Sequence, residues 1–203
     1  MLVLGITGQS GSGKGAVCDI LKRMGVDCLD TDKTARKVVE KGSPCLRELI
    51  AHFGLGILLQ DGSMDRKKVA SIVFNDKEEL AFLTETTHRY IIEEIKQWLF
   101  ERELQGARIV ALDAPQLFDA GADFYCNFIL AVLADSSVRL DRIMARDGMT
   151  EEAALSRMRS QKDDDFFKER CDFVIYNNGD FDELFDNVSK VYQVLNSKTE
   201  YFE

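Results

Sequence analysis

The chain has 203 residues, 45% of them apolar and 30% charged, which suits one α/β domain with a full core and leaves room for a helical insertion. Its net charge of −9 argues against a nucleic-acid surface, which needs a basic patch or stripe, so any phosphate ligand must be held by a local cluster of Lys and Arg. The five cysteines, Cys18, Cys28, Cys45, Cys126 and Cys171, are scattered and odd in number, which points to a reducing compartment; His52 and His88 have no zinc-ligand spacing to them.

The apolar run Leu2 to Thr7 reads as a buried strand. It is too short to span a membrane and lacks the basic region of a cleavable leader, so the expected location is the cytoplasm. Gly8-Gln9-Ser10-Gly11-Ser12-Gly13-Lys14-Gly15 follows, and then Ala16 to Met24, with Val17, Ile20, Leu21 and Met24 spaced for one helix face. Strand, glycine loop and helix stand in the order of a phosphate-binding P-loop. Backbone N–H groups of the loop and the helix N-terminus favour an anion, and Lys14 adds a mobile positive charge. One position departs from the motif. The residue after the lysine is normally Ser or Thr, whose hydroxyl binds Mg²⁺; here it is Gly15, followed by Ala16. The phosphate cradle survives that change, while the metal loses one protein ligand that water can replace.

A second strand, Val26 to Leu29, runs into Asp30-Thr31-Asp32. If extended geometry persists, Asp30 and Asp32 share a side at the carboxyl end of the strand, where ligands of α/β sheets gather. The plainer alternative is that one of them caps a helix starting near Lys33. From there to about Gly106 the pattern is helical: Lys33 to Lys41, Pro44 to Phe53, Asp65 to Phe74, and Lys77 to about Leu104. Ser43 before Pro44, and Asn75 with Glu78 three residues on, mark two of the starts. So long an insertion exceeds a plain crossover and suggests a separate helical lobe for a second substrate. Phe82, Tyr90, Trp98 and Phe100 at helical spacings read as its core.

Strand three, Arg108 to Leu112, leads into Asp113, a Walker-B-like position for a Mg²⁺ carboxylate. Strand four is Asn127 to Leu133, apolar enough to be buried on both faces. A helix from about Ser136 to Arg146 places Arg139, Arg142 and Arg146 on one face, and the next helix, from Thr150, carries Arg157 and Arg159. In so acidic a chain this density of arginine suggests a positive lid over phosphates. The alternative is a solvated face paired with Asp141, Glu151 and Glu152. Asp172 to Tyr176 reads as a fifth strand, Asn177-Asn178-Gly179 as a turn, and Phe181 to about Leu195 as a helix; residues 196–203 are polar and expected to fray.

These residues resemble those of the dephospho-CoA kinase family from about Leu4 to about Val194. The resemblance is carried by Thr7-Gly8 with Gly11-Ser12-Gly13-Lys14, Asp30-x-Asp32, Gly42-Ser43-Pro44, His52-Phe53-Gly54, Asp61-Gly62 and Val73-Phe74. Asp113-x-Pro115-x-Leu117-Phe118, Arg146-Asp147, Gln161 and Asp172-Phe173-Val174-Ile175-x-Asn177 complete it. It implies a three-layer α/β P-loop fold with a five-stranded parallel sheet in order 2-3-1-4-5. The core would cover residues 1–32 and 107–203, a helical CoA-binding lobe residues 33–106, and a lid residues 146–165. It implies transfer of the γ-phosphoryl of ATP, with Mg²⁺, to the ribose 3′-hydroxyl of dephospho-CoA, the last step of coenzyme A synthesis. On that pattern Asp32, Lys14 and Arg146 are catalytic. Gly8, Gly11, Ser12, Gly13, Lys14, Gly15, Ala16, Arg146 and Asn177 line the nucleotide, Thr7, Asp32, His88 and Asp113 the acceptor, and Asp113 the metal. The usual His-Pro of the lobe is His88-Arg89 here, and the aspartate common before Asn177 is Tyr176. Two other readings stay open: a kinase for another small acceptor such as a nucleoside monophosphate, and a nucleotide-binding protein weakened in catalysis at Gly15. A GTPase switch is disfavoured because no Asn-Lys-x-Asp stretch is present.

Overall fold

In the computed structural model, residues 1–199 are described. The chain divides into two compact units, one formed by residues 1–30 with 101 onward and the other by residues 31–100. The first holds β1 (Leu2–Gly8), α1 (Lys14–Arg23), β2 (Asp27–Asp30), β3 (Ile109–Asp113), β4 (Phe128–Leu133), α6 (Ser136–Asp147), α7 (Glu151–Arg159), α8 (Asp164–Arg170), β5 (Phe173–Tyr176) and α9 (Phe181–Lys198). The second holds α2 (Thr31–Lys37), α3 (Pro44–Phe53), α4 (Arg66–Val73) and most of α5 (Lys77–Leu104).

All five strands are parallel and lie in the order β2-β3-β1-β4-β5. β1 is central and buried along its whole length, which is why its residues are apolar or small without alternation. Leu2, Leu4 and Ile6 turn to one face, where Val17, Ile20 and Leu21 of α1 and Leu184, Val188 and Leu195 of α9 complete a core of almost fully buried side chains. On the opposite face Ala131 and Leu133 pack with Phe167 of α8, and Phe118 and Phe166 close over them. Helix, sheet and helix therefore form three layers. The register carries three chain segments to one edge: Ile6 of β1 is level with Asp113 of β3, which is level with Asp30 of β2.

The second unit has its own apolar centre. Val38, Val39, Cys45, Leu46, Leu49, Ile57, Val69 and Val73 are buried, with Phe82 and Tyr90 of α5 packed against them. Ser43 caps α3 through Leu46 N–H with Pro44 at the first helical position, and Asp65 caps α4 through Lys68 N–H.

Several local expectations change. The helix after β2 starts at Thr31 and not near Lys33, so Asp32 lies in a first helical turn and no longer alternates with Asp30. The cap of α5 is Asp76, whose Oδ1 accepts from the N–H groups of Glu78 and Glu79, and not Asn75. Phe100 is 57% exposed and does not join a core. Helix α8 was hidden by its two turns and its mixed composition, although Asp163 caps it through Phe166 N–H.

Gly8 and Gly15 show how differently two glycines can be used. Gly8 has φ +136, and a Cβ built on it would lie 2.1 Å from the carbonyl oxygen of Val132 on β4. A Cβ on Gly15 meets nothing within 4 Å. Gly8→Ala should therefore lower stability by about 3 kcal/mol, whereas Gly15→Ala should unfold within about 0.5 kcal/mol of the parent, both read from denaturant titration.

Candidate active site

β1 ends at Gly8 and α1 starts at Lys14, so five residues make the turn, with Gly11 at φ +79 and Gly13 at φ +97. Those conformations suit glycine because a side chain there would meet the backbone. A Cβ at Gly11 would also lie 2.7 Å from the Arg139 carbonyl oxygen, and one at Gly13 would lie 2.1 Å from Asn177 Nδ2. Gly13 caps α1 without a side-chain acceptor, and the first turn of α1 has no acidic residue. The start of that helix is thus left without a side-chain cap or an acidic residue of its own first turn, an arrangement that favours an anion.

The loop is gripped from outside. Arg139 Nε donates to the Ser10 carbonyl at 3.0 Å, and Asn177 Nδ2 donates to the Ser12 carbonyl at 2.8 Å. A trans peptide holds its C=O and the next N–H on opposite sides. With the Ser10 and Ser12 carbonyls tied outward, the N–H groups of Gly11 and Gly13 point away from those anchors. Ser12 N–H makes a long turn bond to the Gln9 carbonyl at 3.3 Å. Lys14 folds back so that Nζ donates to the Gly8 and Gln9 carbonyls at 2.8 and 3.2 Å.

The arginines divide into two groups. Arg139 is 5% exposed and also donates through Nη2 to Gln161 Oε1 at 2.9 Å; burial lowers its affinity for a proton from a very high starting value. Arg142 Nη1 donates to the Asn177 carbonyl at 2.9 Å and reaches the Gly11 carbonyl at 3.5 Å. Arg146, more exposed, is bidentate to Asp147 at 2.7 and 2.8 Å, and Arg157 Nη1 shares the same carboxylate at 2.8 Å. Hydrogen bonds from Arg146 hold the Asp147 carboxyl below its ordinary range, with the charges of Arg146 and Arg157 adding to them. The acid that pairs with this group is thus Asp147, and not the Asp141, Glu151 or Glu152 considered as partners for a solvated face.

The remaining candidates fall as follows. Thr7 is fully buried and its hydroxyl donates to the Pro115 carbonyl at 3.4 Å. Ser12 is fully buried within the loop, and Ala16 packs at the margin of the core under α1. Asp113, half-buried at the end of β3, helps to push the Cys18 thiol upward, after the Cys28 hydrogen bond and burial, which places its carboxylate close to α1. Asp32 and His88 belong to the second unit, Asp32 exposed in the first turn of α2 and His88 half-buried within α5. Gln9, Gln161 and Lys162 were not singled out as site residues, although Gln161 carries part of the resemblance; the Gln9–Lys162 and Ser10–Gln161 contacts join positions more than 150 residues apart that no periodicity connects.

The donor set suits Mg²⁺, which takes oxygen ligands, keeps several waters and needs only one or two carboxylates beside substrate phosphates. The open space at Gly15 has room for such a water. Among the described residues no group of three or more His, Cys, Asp or Glu forms an all-protein metal cage.

A parallel sheet in this order, with a glycine loop feeding a helix that starts without a side-chain cap, defines a P-loop kinase. A sequence model of the dephospho-CoA kinase family matches residues 2–183. The chain belongs to that family. It is 38% identical to the dephospho-CoA kinase of Corynebacterium glutamicum over 94% of this chain and 96% of that one. It is 35% identical to that of Arabidopsis thaliana over 94% and 82% of the two chains. Among solved structures, TT1252 from Thermus thermophilus superposes with a TM-score of 0.81 at 28% identity, covering 95% of this chain and 96% of that one. Dephospho-CoA kinase from Campylobacter jejuni gives 0.70 at 26%, covering 94% and 95%. The fold alone is shared with shikimate kinase from Bacteroides thetaiotaomicron, at a TM-score of 0.54 and 11% identity over 96% and 98% of the two chains.

Asn177→Ala removes the anchor of the Ser12 carbonyl inside a buried site. The variant should lose about 2 kcal/mol and melt about 5 °C lower, as measured by thermal unfolding.

Proposed function

We propose that this kinase, which as a family member uses ATP to phosphorylate dephospho-CoA to coenzyme A, transfers the γ-phosphoryl to the ribose 3′-hydroxyl with Asp32 accepting the hydroxyl proton. The observation that carries the reading is the loop itself: amides of Gly11 and Gly13 turned away from their anchors, an uncapped helix start, and Lys14 at the loop's own carbonyls. An incoming triphosphate offers Lys14 charged acceptors, stronger than the neutral Gly8 and Gln9 carbonyls among its present partners, and draws the ammonium onto phosphate. Phosphoryl transfer asks chiefly for positioning and for positive charge around the equatorial oxygens. Lys14 supplies part of that charge and Arg146 another part, once its guanidinium exchanges the Asp147 carboxylate for phosphate.

Asp32 is exposed, and a carboxylate in contact with an alcohol eases loss of its proton as the new bond forms. Asp113 would hold Mg²⁺, directly or through water, and the metal when bound neutralises phosphate charge. Gly8, Gly11, Ser12, Gly13, Gly15 and Ala16 would line the phosphates and Asn177 the nucleotide side of the loop. Thr7 and His88 would face the acceptor, and residues 146–165 would act as the lid. No helix of the described residues is long and apolar enough to cross a membrane, and we place the enzyme in the cytoplasm as the last step of coenzyme A synthesis.

Asp32→Asn should lower kcat with dephospho-CoA by about 10²- to 10⁴-fold and leave the ATP KM within about twofold; a coupled assay of ATP consumption reads both, and wild-type kcat in the variant removes Asp32 as the base. Gly15→Ser should reduce the Mg²⁺ concentration giving half-maximal rate, measured in the same assay across a metal titration. An unchanged midpoint would mean that water already completes the coordination.

A further inference from the structure

Gln161 follows α7 at its junction with α8 and is half-buried. Its Oε1 accepts from the Ser10 N–H at 3.0 Å and from Arg139 Nη2 at 2.9 Å. Arg139 Nε in turn donates to the Ser10 carbonyl at 3.0 Å, closing a ring of three residues. Both polar groups of the Ser10 backbone are therefore bound from outside the loop. One residue earlier, Gln9 Nε2 donates to the Lys162 carbonyl at 3.0 Å. Gln9, Ser10 and Arg139 are 5%, 8% and 5% exposed, so water does not substitute freely for these bonds.

The residue type matters. An amide oxygen offers two lone pairs without charge, which satisfies two donors and leaves the guanidinium positive. A hydrocarbon of the same length would strand a buried N–H and a buried guanidinium proton. A carboxylate would satisfy both donors, but would set a negative charge beside a loop built for anions.

We propose that Gln161 is a positioning residue for nucleotide binding, which fastens the Ser10 peptide to the α7–α8 segment and so holds the phosphate loop in its binding shape before any phosphate arrives. The inference rests on the reading that this loop receives the phosphates of ATP. A cradle shaped in advance avoids the ordering cost that a slack loop meets on binding. Because α7 also carries Arg157, which shares Asp147 with Arg146, the same fastening fixes the base of the segment that bears the arginines.

Hydrogen exchange on the ligand-free protein tests the fastening without any ligand. Gln161→Leu should speed exchange of the hydrogen-bonded Ser10 and Ser12 amides by about tenfold, whereas Gln161→Glu should keep them protected. Calorimetric titration with ATP, followed by steady-state kinetics, tests the consequence. Gln161→Leu should weaken ATP binding and raise the ATP KM about tenfold while the dephospho-CoA KM stays within about twofold. Gln161→Glu should combine a protected loop with weaker ATP binding, because its charge opposes the phosphates. Unchanged loop exchange in Gln161→Leu, unchanged ATP affinity, or an equal rise in both KM values would each overturn the proposal. Should Gln161→Leu fail to fold, Gln161→Ala carries the same measurements. If the wild type binds no ATP, the functional reading fails, while the exchange data still decide the fastening.

Discussion

Two carbonyl oxygens set the chemistry of this protein. Those of Ser10 and Ser12 are held by Arg139 and Asn177, and the planarity of the peptide bond converts each outward carbonyl into an amide facing the other way. The rest of the core unit can be read as what is needed to hold those two anchors still. Asn177 follows β5 and its own N–H is tied to the Leu133 carbonyl at the end of β4, so the sheet positions it. Arg139 leaves the N-terminal half of α6, directly after β4. Strands β4 and β5 thus carry the anchors, β1 carries the loop, and the parallel register fixes one against the other.

The use of charge follows the same division. Arg139 and Arg142 hydrogen-bond neutral acceptors, so their positive charge stays beside the loop without a bonded carboxylate to cancel it. Arg146 and Arg157 share the single Asp147 carboxylate, which offsets half of their joint charge. A chain with net charge −9 can in this way hold a local positive field at the loop proposed to receive phosphate, because low exposure limits the screening of Arg139 by water and salt.

Much of this was legible in the sequence, and what was not follows a physical pattern. The loop, the strand before it and the helix after it are local signals, and so are the apolar strands β3 and β4. The sheet order came from resemblance, since periodicity cannot rank strands. The end of β2 was misjudged because Asp30 and Asp32 look like alternating strand residues until Thr31 opens a helix. Arg139 and Arg142 were correctly grouped on one face, yet their partners are backbone carbonyls of a loop far away in the chain, which carry no side-chain signature. Gln161 is the extreme case, a neutral residue between two short helices whose contacts depend wholly on tertiary structure.

The bidentate pair between Arg146 and its own neighbour Asp147 has a consequence for turnover. A guanidinium that rests on an adjacent carboxylate is already stripped of part of its hydration, and reaching a phosphate means trading one anion for another of similar geometry. On the role proposed for Arg146, moving from the parked to the engaged position exchanges one bidentate oxyanion partner for another. Such an exchange gives the guanidinium a place to return to when the nucleotide product leaves, so that release does not strand its charge.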